Sequence, residues 1–186
     1  AQTPPPAVNS IMGNSTDPRL MISVSGIRGR VGHGLSPEVV ARYAAAFGAW
    51  AIATGPSKAV VLGRDSRVSG PIFHQIARAS LEAAGANVFD LGMTTTPTLQ
   101  MAVEHHHAAG GLCITASHNP IEWNALKFIG PSGLFLSADE GREMRALVES
   151  GIPYATWDTL GTTQFDGDAI TRHIQQVLKL PFINVE

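Results

Sequence analysis

Short apolar runs alternate with longer stretches of helical periodicity along most of this chain, and this alternation restricts the fold more than any other feature. The runs short and apolar enough to form buried strands are residues 59–63, 87–91, 111–115 and 125–129. Helix-start signals flank them, such as Ser36-Pro37-Glu38 and the capping box at 137–140. The sequence therefore predicts an α/β fold, a three-layer α/β/α sandwich with a mixed, mostly parallel sheet.

Loop length and composition predict two further details of the sheet. The segment between runs 111–115 and 125–129 is too short for a helical crossover, so those two strands should pair antiparallel. Residues 20–25 are predicted to form the first strand, and the glycine-rich residues 26–32 to form a loop after it. Loops at the carboxyl ends of the strands are where such a fold gathers its reactive side chains.

The chain divides into four predicted regions. Residues 1–19 are rich in Pro, Ser, Thr and Asn, and we expect them to be disordered or an extension, with Met12 or Met21 as a plausible natural start. Residues 20–150 form the α/β domain and 151–167 a linker. A helix over 168–178 and a strand over 181–185 then make residues 168–186 the truncated start of a second domain.

Composition excludes several classes of partner. Of the 186 residues, 44% are hydrophobic and 15% are charged, and the formal net charge of -2 includes no basic run. We therefore expect no binding to nucleic acid or to a membrane surface, and no apolar stretch is long enough to span a bilayer. The single cysteine, Cys113, is expected to be a buried, inert thiol, and the absence of an internal disulfide favours a cytoplasmic protein.

The residues from Thr115 to Pro120 are the strongest candidate for chemistry. They follow the apolar run at 111–114, so Ser117 should lie just beyond a buried strand end, held rigidly and reachable from solvent. His118 and Lys127 can supply positive charge or proton transfer beside it, which suggests a serine that carries a phosphoryl group. No Gly-x-Ser-x-Gly pattern surrounds Ser117, so it is not a hydrolase nucleophile elbow. The alternative is an ordinary serine in a strand-end turn.

Arginines near glycines are the second set of candidates. Arg28 lies in Gly26-Ile27-Arg28-Gly29, where the backbone can approach a ligand closely and the guanidinium can bind phosphate through two hydrogen bonds. Arg64 and Arg67 occupy a similar loop, in which Asp65 should pair with an arginine and order the segment. Each of these signals is weak alone, and Lys127 is equally compatible with a solvated sheet edge.

The run of histidines at 105–107 invites a metal-site hypothesis, which we reject. Three consecutive residues on a helix point in three directions and cannot easily converge on one ion. We expect these side chains to lie at a solvated helix end, where a cationic histidine is mildly favourable.

Four elements, in order, make the chain resemble the first domain of the α-D-phosphohexomutases, the family of phosphoglucosamine mutase, phosphomannomutase and phosphoglucomutase. They are Gly26-Ile27-Arg28-Gly29, Gly63-Arg64-Asp65-Ser66-Arg67, Thr94-Thr95-Thr96-Pro97, and Thr115 to Pro120 with Asn124 and Lys127. The resemblance spans about residues 21–186. The Ser-His-Asn-Pro signature with its trailing lysine is the most specific of the four.

The resemblance implies a phosphoserine at Ser117 that exchanges its phosphoryl group with a hexose or hexosamine phosphate through a bisphosphate intermediate. It places Lys127 and Arg28 in proton transfer and charge stabilisation, and His118 and Asn119 close to the phosphoserine and substrate. Arg64 and Arg67 are expected to bind phosphate. It also implies a Mg²⁺ ion bridging the phosphoserine and three aspartates of a second domain, and a glucose 1,6-bisphosphate-type activator.

Two departures from the family pattern qualify this expectation. Ala125 stands where the family commonly has glycine before the lysine strand, and no Asp-Gly-Asp-x-Asp metal loop is present. We therefore expect the remaining mutase domains in cis, and this polypeptide alone to be inactive as a mutase. Within the family, the chain is most like phosphoglucosamine mutase, with phosphomannomutase or phosphoglucomutase specificity as an alternative. A non-catalytic module that binds a sugar phosphate or a partner on the same fold is the other alternative.

Overall fold

A mixed β-sheet forms the middle layer of the structure, a computed structural model that describes residues 20–24 and 26–183. Its strands are β1 (Leu20–Ser23), β2 (Gly26–Arg30), β3 (Ala59–Arg64), β4 (Asn87–Met93), β5 (Gly110–Ile114), β6 (Trp123–Ile129) and β7 (Thr163–Phe165). Within the described residues they lie in the order β1-β2-β6-β5-β3-β4-β7.

Helices cover both faces of this sheet. They are α1 (Pro37–Thr54), α2 (Gly70–Ala83), α3 (Thr96–His105), α4 (Ala138–Ser150) and α5 (Ala169–Leu178). Alternate residues of β3 enter different cores: Val60 and Leu62 join the cluster that contains α1, α2 and α4, whereas Val61 joins the cluster that contains α3. This alternation confirms the predicted three-layer α/β/α sandwich.

The strand pairing divides the sheet into two halves. β5 with β3, β3 with β4, and β4 with β7 pair in parallel, whereas β1 with β2, β2 with β6, and β6 with β5 pair antiparallel. The antiparallel pairing predicted for the strands at 111–115 and 125–129 is therefore confirmed. The sheet is mixed, as expected, but the described strands form three parallel and three antiparallel pairs, so parallel pairing is not in the majority and is confined to one half.

The segment predicted as a glycine-rich loop contains a strand instead, and this is a correction. Residues 26–30 form β2, between β1 and β6. Gly26 has φ +154°, and a Cβ there would lie 2.1 Å from the carbonyl oxygen of Leu126. Glycine at this position is thus needed for close strand approach, which a sequence interpretation readily mistakes for loop freedom.

Residues beyond α4 are packed against the sheet. β7 lies within the segment predicted as a linker. The residues on either side of β7 bond the backbone of β4: Val88 N donates to Thr162 O at 2.7 Å, and Asp166 N donates to Asp90 O at 2.9 Å. The predicted helix at 168–178 is confirmed as α5, which packs against α3. The position of the boundary between a first and a second domain stays a prediction.

Both chain ends extend past the described structure. Residues 181–183, part of the predicted final strand, form a turn, in which Ile183 N donates to Leu180 O at 3.0 Å. The remainder of that strand, the predicted extension at 1–19 and Ser25 lie outside the described residues.

Two properties expected from composition can be compared with the fold. Cys113 is fully buried on β5, where it forms no disulfide, and burial raises the pKa of its thiol to about 11. The prediction of a buried thiol is confirmed, and its inertness stays a prediction. Among the described helices, none combines the length and apolar character needed to cross a bilayer.

Candidate active site

A cleft of about 340 Å³ lies where the loop after β5 meets the neighbouring strands β2 and β6. Five of the seven predicted site residues line it: Arg28, Ser117, His118, Asn119 and Lys127. Arg64 and Arg67 are absent from its lining. The cleft thus brings together side chains that are up to about a hundred positions apart in the sequence.

The backbone of the loop after β5 holds Ser117 outward. Thr115 and Ala116 are buried, whereas Ser117 is exposed and takes a left-handed φ of 55°. The Ser117 N–H donates to Thr115 Oγ1 at 3.0 Å, and the Asn119 N–H donates to Ala116 O at 3.1 Å. A non-glycine residue in this conformation stores about 1 kcal/mol of strain, which the surrounding contacts must offset.

His118 follows Ser117 directly and is exposed. Its Nδ1 lies 3.4 Å from the Ser117 Oγ, a long hydrogen bond in which the donor depends on the tautomer. Transfer of the serine proton to this nitrogen requires that the contact shorten and that Nδ1 be unprotonated.

Lys127 and Arg28 enter the cleft from adjacent strands. Lys127 on β6 is paired in register with Gly26 of β2 and with Cys113 of β5, and Arg28 is opposite Ala125. The Lys127 Nζ lies 5.6 Å from the centre of the Phe135 ring, a cation–π contact on a half-buried lysine. Lys127 is therefore not a fully solvated edge residue, and Phe135 is a neighbour that the sequence pattern did not indicate.

The side chains of the cleft favour an anion. Arg28, Lys127 and His118 supply its titratable groups, and none of the described residues lining it is Asp or Glu. A concave surface with one sign of charge attracts ligands of the opposite sign, and Arg and Lys both suit phosphate oxygens.

The loop that carries Ser117, residues 115–122, is called the serine loop here. Arg67 lies against the backbone of this loop and does not line the cleft. Its four terminal N–H groups donate to four carbonyl oxygens, those of Pro120 and Trp123 (both 2.9 Å from Nη1), Ser117 (2.8 Å from Nη2) and Asn119 (2.7 Å from Nη2). These bonds occupy all four terminal N–H groups in this structure, and a phosphate contact by Arg67 stays a prediction. The sequence does not reveal these bonds because the acceptors are backbone atoms.

Asp65 orders this arginine, as predicted. Its Oδ2 lies 3.2 Å from Arg67 Nε, and its Oδ1 accepts the Arg67 backbone N–H at 3.0 Å. Arg64 is at the end of β3, where its Nη1 donates to Asp65 O at 3.0 Å. Arg64 does not line the cleft that contains Ser117, and a phosphate contact by Arg64 stays a prediction.

Asn124 anchors the other end of the serine loop. It is fully buried, its Nδ2 donates to Ser69 Oγ at 2.9 Å, and its Oδ1 accepts the Ala125 N–H at 2.8 Å. Ala125 stands where the phosphohexomutase pattern commonly has glycine. It lies within β6, and its carbonyl oxygen accepts the Thr115 N–H at 3.1 Å.

The residues of the cleft do not form a metal site by themselves. Among the described residues no three His, Cys, Asp or Glu side chains are grouped to hold an ion. A phosphorylated Ser117 would contribute oxygen ligands, the type Mg²⁺ prefers, but the described lining adds no carboxylate. A metal ion bound at this cleft would therefore need ligands beyond those that the described lining supplies.

His106 departs from the expected solvated helix end. Its ring stacks on Phe89 with centroids 3.9 Å apart, and its Nε2 lies 2.8 Å from Asp166 Oδ2. Arg172 bonds the same carboxylate. Burial raises the pKa of Asp166, but the hydrogen bonds from Arg172, His106 and the Asp168 backbone outweigh burial and lower the pKa to about 2. The middle histidine thus connects α3 to the segment before α5.

Comparison with known proteins supports the family resemblance over most of the chain. The family profile described as "Phosphoglucomutase/phosphomannomutase, alpha/beta/alpha domain I" matches residues 19–154. A probable phosphoglucosamine mutase of Methanopyrus kandleri is 36% identical over 154 residues, 83% of this chain and 33% of the relative. A phosphoglucosamine mutase of Synechococcus sp. is 44% identical over 122 residues, 65% of this chain and 26% of the relative.

A solved structure shares the fold. A phosphoglucomutase/phosphomannomutase family protein from Burkholderia thailandensis superposes with a TM-score of 0.71 at 24% identity, over 85% of this chain and 36% of that one. The matched region spans about a third of the length of these proteins. By its family profile and its relatives, this chain belongs to the α-D-phosphohexomutase family and carries that family's first α/β/α domain.

Proposed function

We propose that Ser117 carries the phosphoryl group of a phosphohexomutase whose complete form interconverts hexose or hexosamine 1-phosphates and 6-phosphates. The observation that supports this most is the exposed hydroxyl at a strand end, in a cleft lined by Arg28, Lys127 and His118 without an acidic side chain among the described residues. Relatives named phosphoglucosamine mutase favour a hexosamine phosphate as substrate.

The proposed step moves one phosphoryl group between Ser117 Oγ and a sugar oxygen. In one direction the Oγ–phosphorus bond forms and the bond from phosphorus to the sugar oxygen breaks. The serine hydroxyl gives up its proton and the sugar oxygen gains one. The reverse step returns a phosphoryl group to the sugar, at its other end. Because phosphoryl transfer depends mainly on position and charge, the protein needs cations and proton carriers more than a strong nucleophile.

Each residue of the cleft has a role in this step. His118 Nδ1, 3.4 Å from Ser117 Oγ, accepts the serine proton. Lys127 supplies a proton to the sugar oxygen as the bond to phosphorus breaks. Arg28 binds the phosphoryl oxygens through paired N–H groups, and Asn119 orients the substrate from the same lining.

Two further components come from the resemblance. A Mg²⁺ ion would neutralise phosphoryl charge, with Ser117 phosphate as its ligand in this domain and the other ligands in a second domain of the complete protein. A glucose 1,6-bisphosphate-type activator would restore phosphate on a dephosphorylated serine. The unpaired thiol of Cys113 supports a cytoplasmic location. On this proposal the present 186 residues alone do not complete the mutase cycle.

Sugar specificity and catalysis can be tested together on the longest polypeptide that the gene encodes. We expect interconversion of glucosamine 1- and 6-phosphate, followed by ³¹P NMR, to be faster than that of the mannose or glucose phosphates. Ser117→Ala should lower the rate by at least about 1,000-fold, because the phosphoryl acceptor is lost. The exposed Ser132→Ala is the matched control and should keep the wild-type rate. An active Ser117→Ala variant would contradict the assignment, and sugar phosphate binding without turnover in the wild type would favour the non-catalytic module.

A further inference from the structure

We propose that Arg67 is a positioning residue for Ser117: its guanidinium, oriented by Asp65, holds the serine loop in the one shape that presents the hydroxyl to the cleft. The consequence for phosphoryl transfer rests on the proposed function. The structural part of the inference does not, because it concerns only how the loop is held.

The loop between β5 and β6 has few backbone hydrogen bonds of its own. Inside it, Asn119 N donates to Ala116 O and Trp123 N donates to Pro120 O. The carbonyls of residues 117, 119, 120 and 123 span most of the loop, and all four converge on one guanidinium. Removing that group would leave four acceptors without their shared donor at one time.

Only an arginine can make this set of contacts. A guanidinium has five N–H donors in a planar arrangement: the four terminal ones bond the carbonyls, whereas Nε lies 3.2 Å from Asp65 Oδ2 in an ion pair without a hydrogen bond. A lysine in the same place has three donors in a tetrahedral arrangement and no fork for Asp65 to orient. The Arg67 side chain is 11% exposed, so water replaces little of its hydrogen bonding.

We call the contacts of Arg67 with Asp65 and the four carbonyls the clamp. The clamp also affects the electrostatic potential that a phosphate in the cleft would experience. Each of the four carbonyl oxygens accepts from Arg67, a side chain that does not line the cleft. The negative ends of these peptide dipoles are thus directed at Arg67. The charge inside the cleft is therefore set by Arg28, Lys127 and His118. The same contacts fix the peptide that follows Ser117, whose φ of 55° would otherwise relax.

The first test measures the loop and not the reaction. Hydrogen exchange at the Ser117 and Asn119 amides should accelerate at least about tenfold in Arg67→Ala of the 186-residue chain. Guanidinium ion, below concentrations that unfold the wild type, should reverse the change in Arg67→Ala. Arg67→Lys should exchange as fast as Arg67→Ala. The control is Arg42→Ala, since Arg42 also donates to a backbone carbonyl, that of Val148, at the remote contact of α1 with α4. It should leave exchange in the loop unchanged.

The second test measures transfer of phosphate from glucose 1,6-bisphosphate to Ser117 in the longest polypeptide of the gene, by intact mass. Arg67→Ala should lower the saturating rate by about 100-fold, with less than about a threefold change in the half-saturating concentration, because the residues that contact phosphate remain. Guanidinium ion should restore the rate.

The outcomes separate the two proposals. A wild type that accepts no phosphate overturns the function of Ser117, while the exchange experiment still decides the role of Arg67. Wild-type exchange in Arg67→Ala, or acceleration equal to that in Arg42→Ala, would overturn the clamp. If Arg67→Ala fails to fold, Asp65→Asn decides, because it keeps the oxygen for the backbone N–H but loses the charge paired with Arg67. Faster exchange at the Ser117 and Asn119 amides than in the wild type supports the clamp, and unchanged exchange overturns it.

Discussion

At the scale of single residues, Ser117 combines a strained backbone with an exposed hydroxyl. A serine with no chemical role has no need of a left-handed φ, and a glycine would occupy that position with less strain. The strain is therefore interpreted as the consequence of directing a specific side chain into the cleft.

This interpretation predicts that Ser117→Gly separates stability from function. Relief of the left-handed strain outweighs the added chain entropy of glycine, so the free energy of unfolding should rise by about 0.5 kcal/mol. Phosphate acceptance should be abolished. Urea unfolding measures the first effect and intact mass the second. As a control, Ala79→Gly on the exposed side of α2 should lower the free energy of unfolding by about 1 kcal/mol. A Ser117→Gly variant less stable than Ala79→Gly would show that φ 55° is not strained.

The sequence was enough to predict the cleft residues whose own side chains carry a reactive or cationic group. Ser117, Lys127 and Arg28 have the reactive or cationic groups that phosphate chemistry needs, and the fold brings them to one cleft. Arg67 was not predictable, because four of its partners are carbonyls whose positions depend on the folded loop. Two arginines in one short motif thus look equivalent in sequence and differ in structure.

At the scale of elements, β2 decides the shape of the cleft, since it carries Arg28 and its first residue is opposite Lys127. Gly26→Ala would place a Cβ 2.1 Å from Leu126 O and force β2 away from β6. We expect a loss of about 3 kcal/mol in the free energy of unfolding, measured by urea denaturation. Gly32→Ala is the control, because φ there is +78° with nothing within 4 Å, so it should lose only about 1 kcal/mol. Equal losses would contradict the close strand approach.

The contact of α3 with the segment before α5 should depend on pH. The carboxyl of Asp166 has a pKa of about 2 in the fold, below its ordinary value of 3.8, so its ionised form stabilises the fold above about pH 4. That contribution is lost as pH falls from about 4 through 2. Asp166→Asn should therefore be less stable than wild type at pH 7, with a difference that shrinks as pH falls below 4. The control is the exposed Glu149→Gln, which should show no such change in its difference from wild type as pH falls. A difference in unfolding free energy that is constant between pH 7 and 3 would contradict this account.

The helices and the buried strands were predictable because apolar periodicity and caps are local signals, as at Ser36 and Ser137. β2 and β7 were not. β2 is rich in glycine, and the exposed, three-residue β7 depends on pairing with β4 for its conformation. Short edge strands and glycine-dependent strands are determined by partners distant in sequence.

At the scale of the whole molecule, the described residues form the three layers of an α/β/α fold with a cationic cleft at the serine loop, and the chain spans about a third of the length of its relatives. On the proposed function, this domain supplies the serine that carries the phosphoryl group and the cationic side chains beside it. The substrate sugar and the metal cage are properties that we assign to the complete protein. The central claim, that Ser117 Oγ accepts and returns a phosphoryl group, can therefore be tested at that one atom.

The most direct measurement is residue-resolved mass spectrometry of Ser117 in the longest polypeptide that the gene encodes. The protein is incubated with glucose 1,6-bisphosphate, and an excess of hexosamine 6-phosphate is then added. Our account predicts that one phosphoryl group appears on Ser117 and leaves it for the added sugar phosphate. A Ser117 that stays unmodified, or a phosphate that appears there and cannot be returned to a sugar, would contradict it.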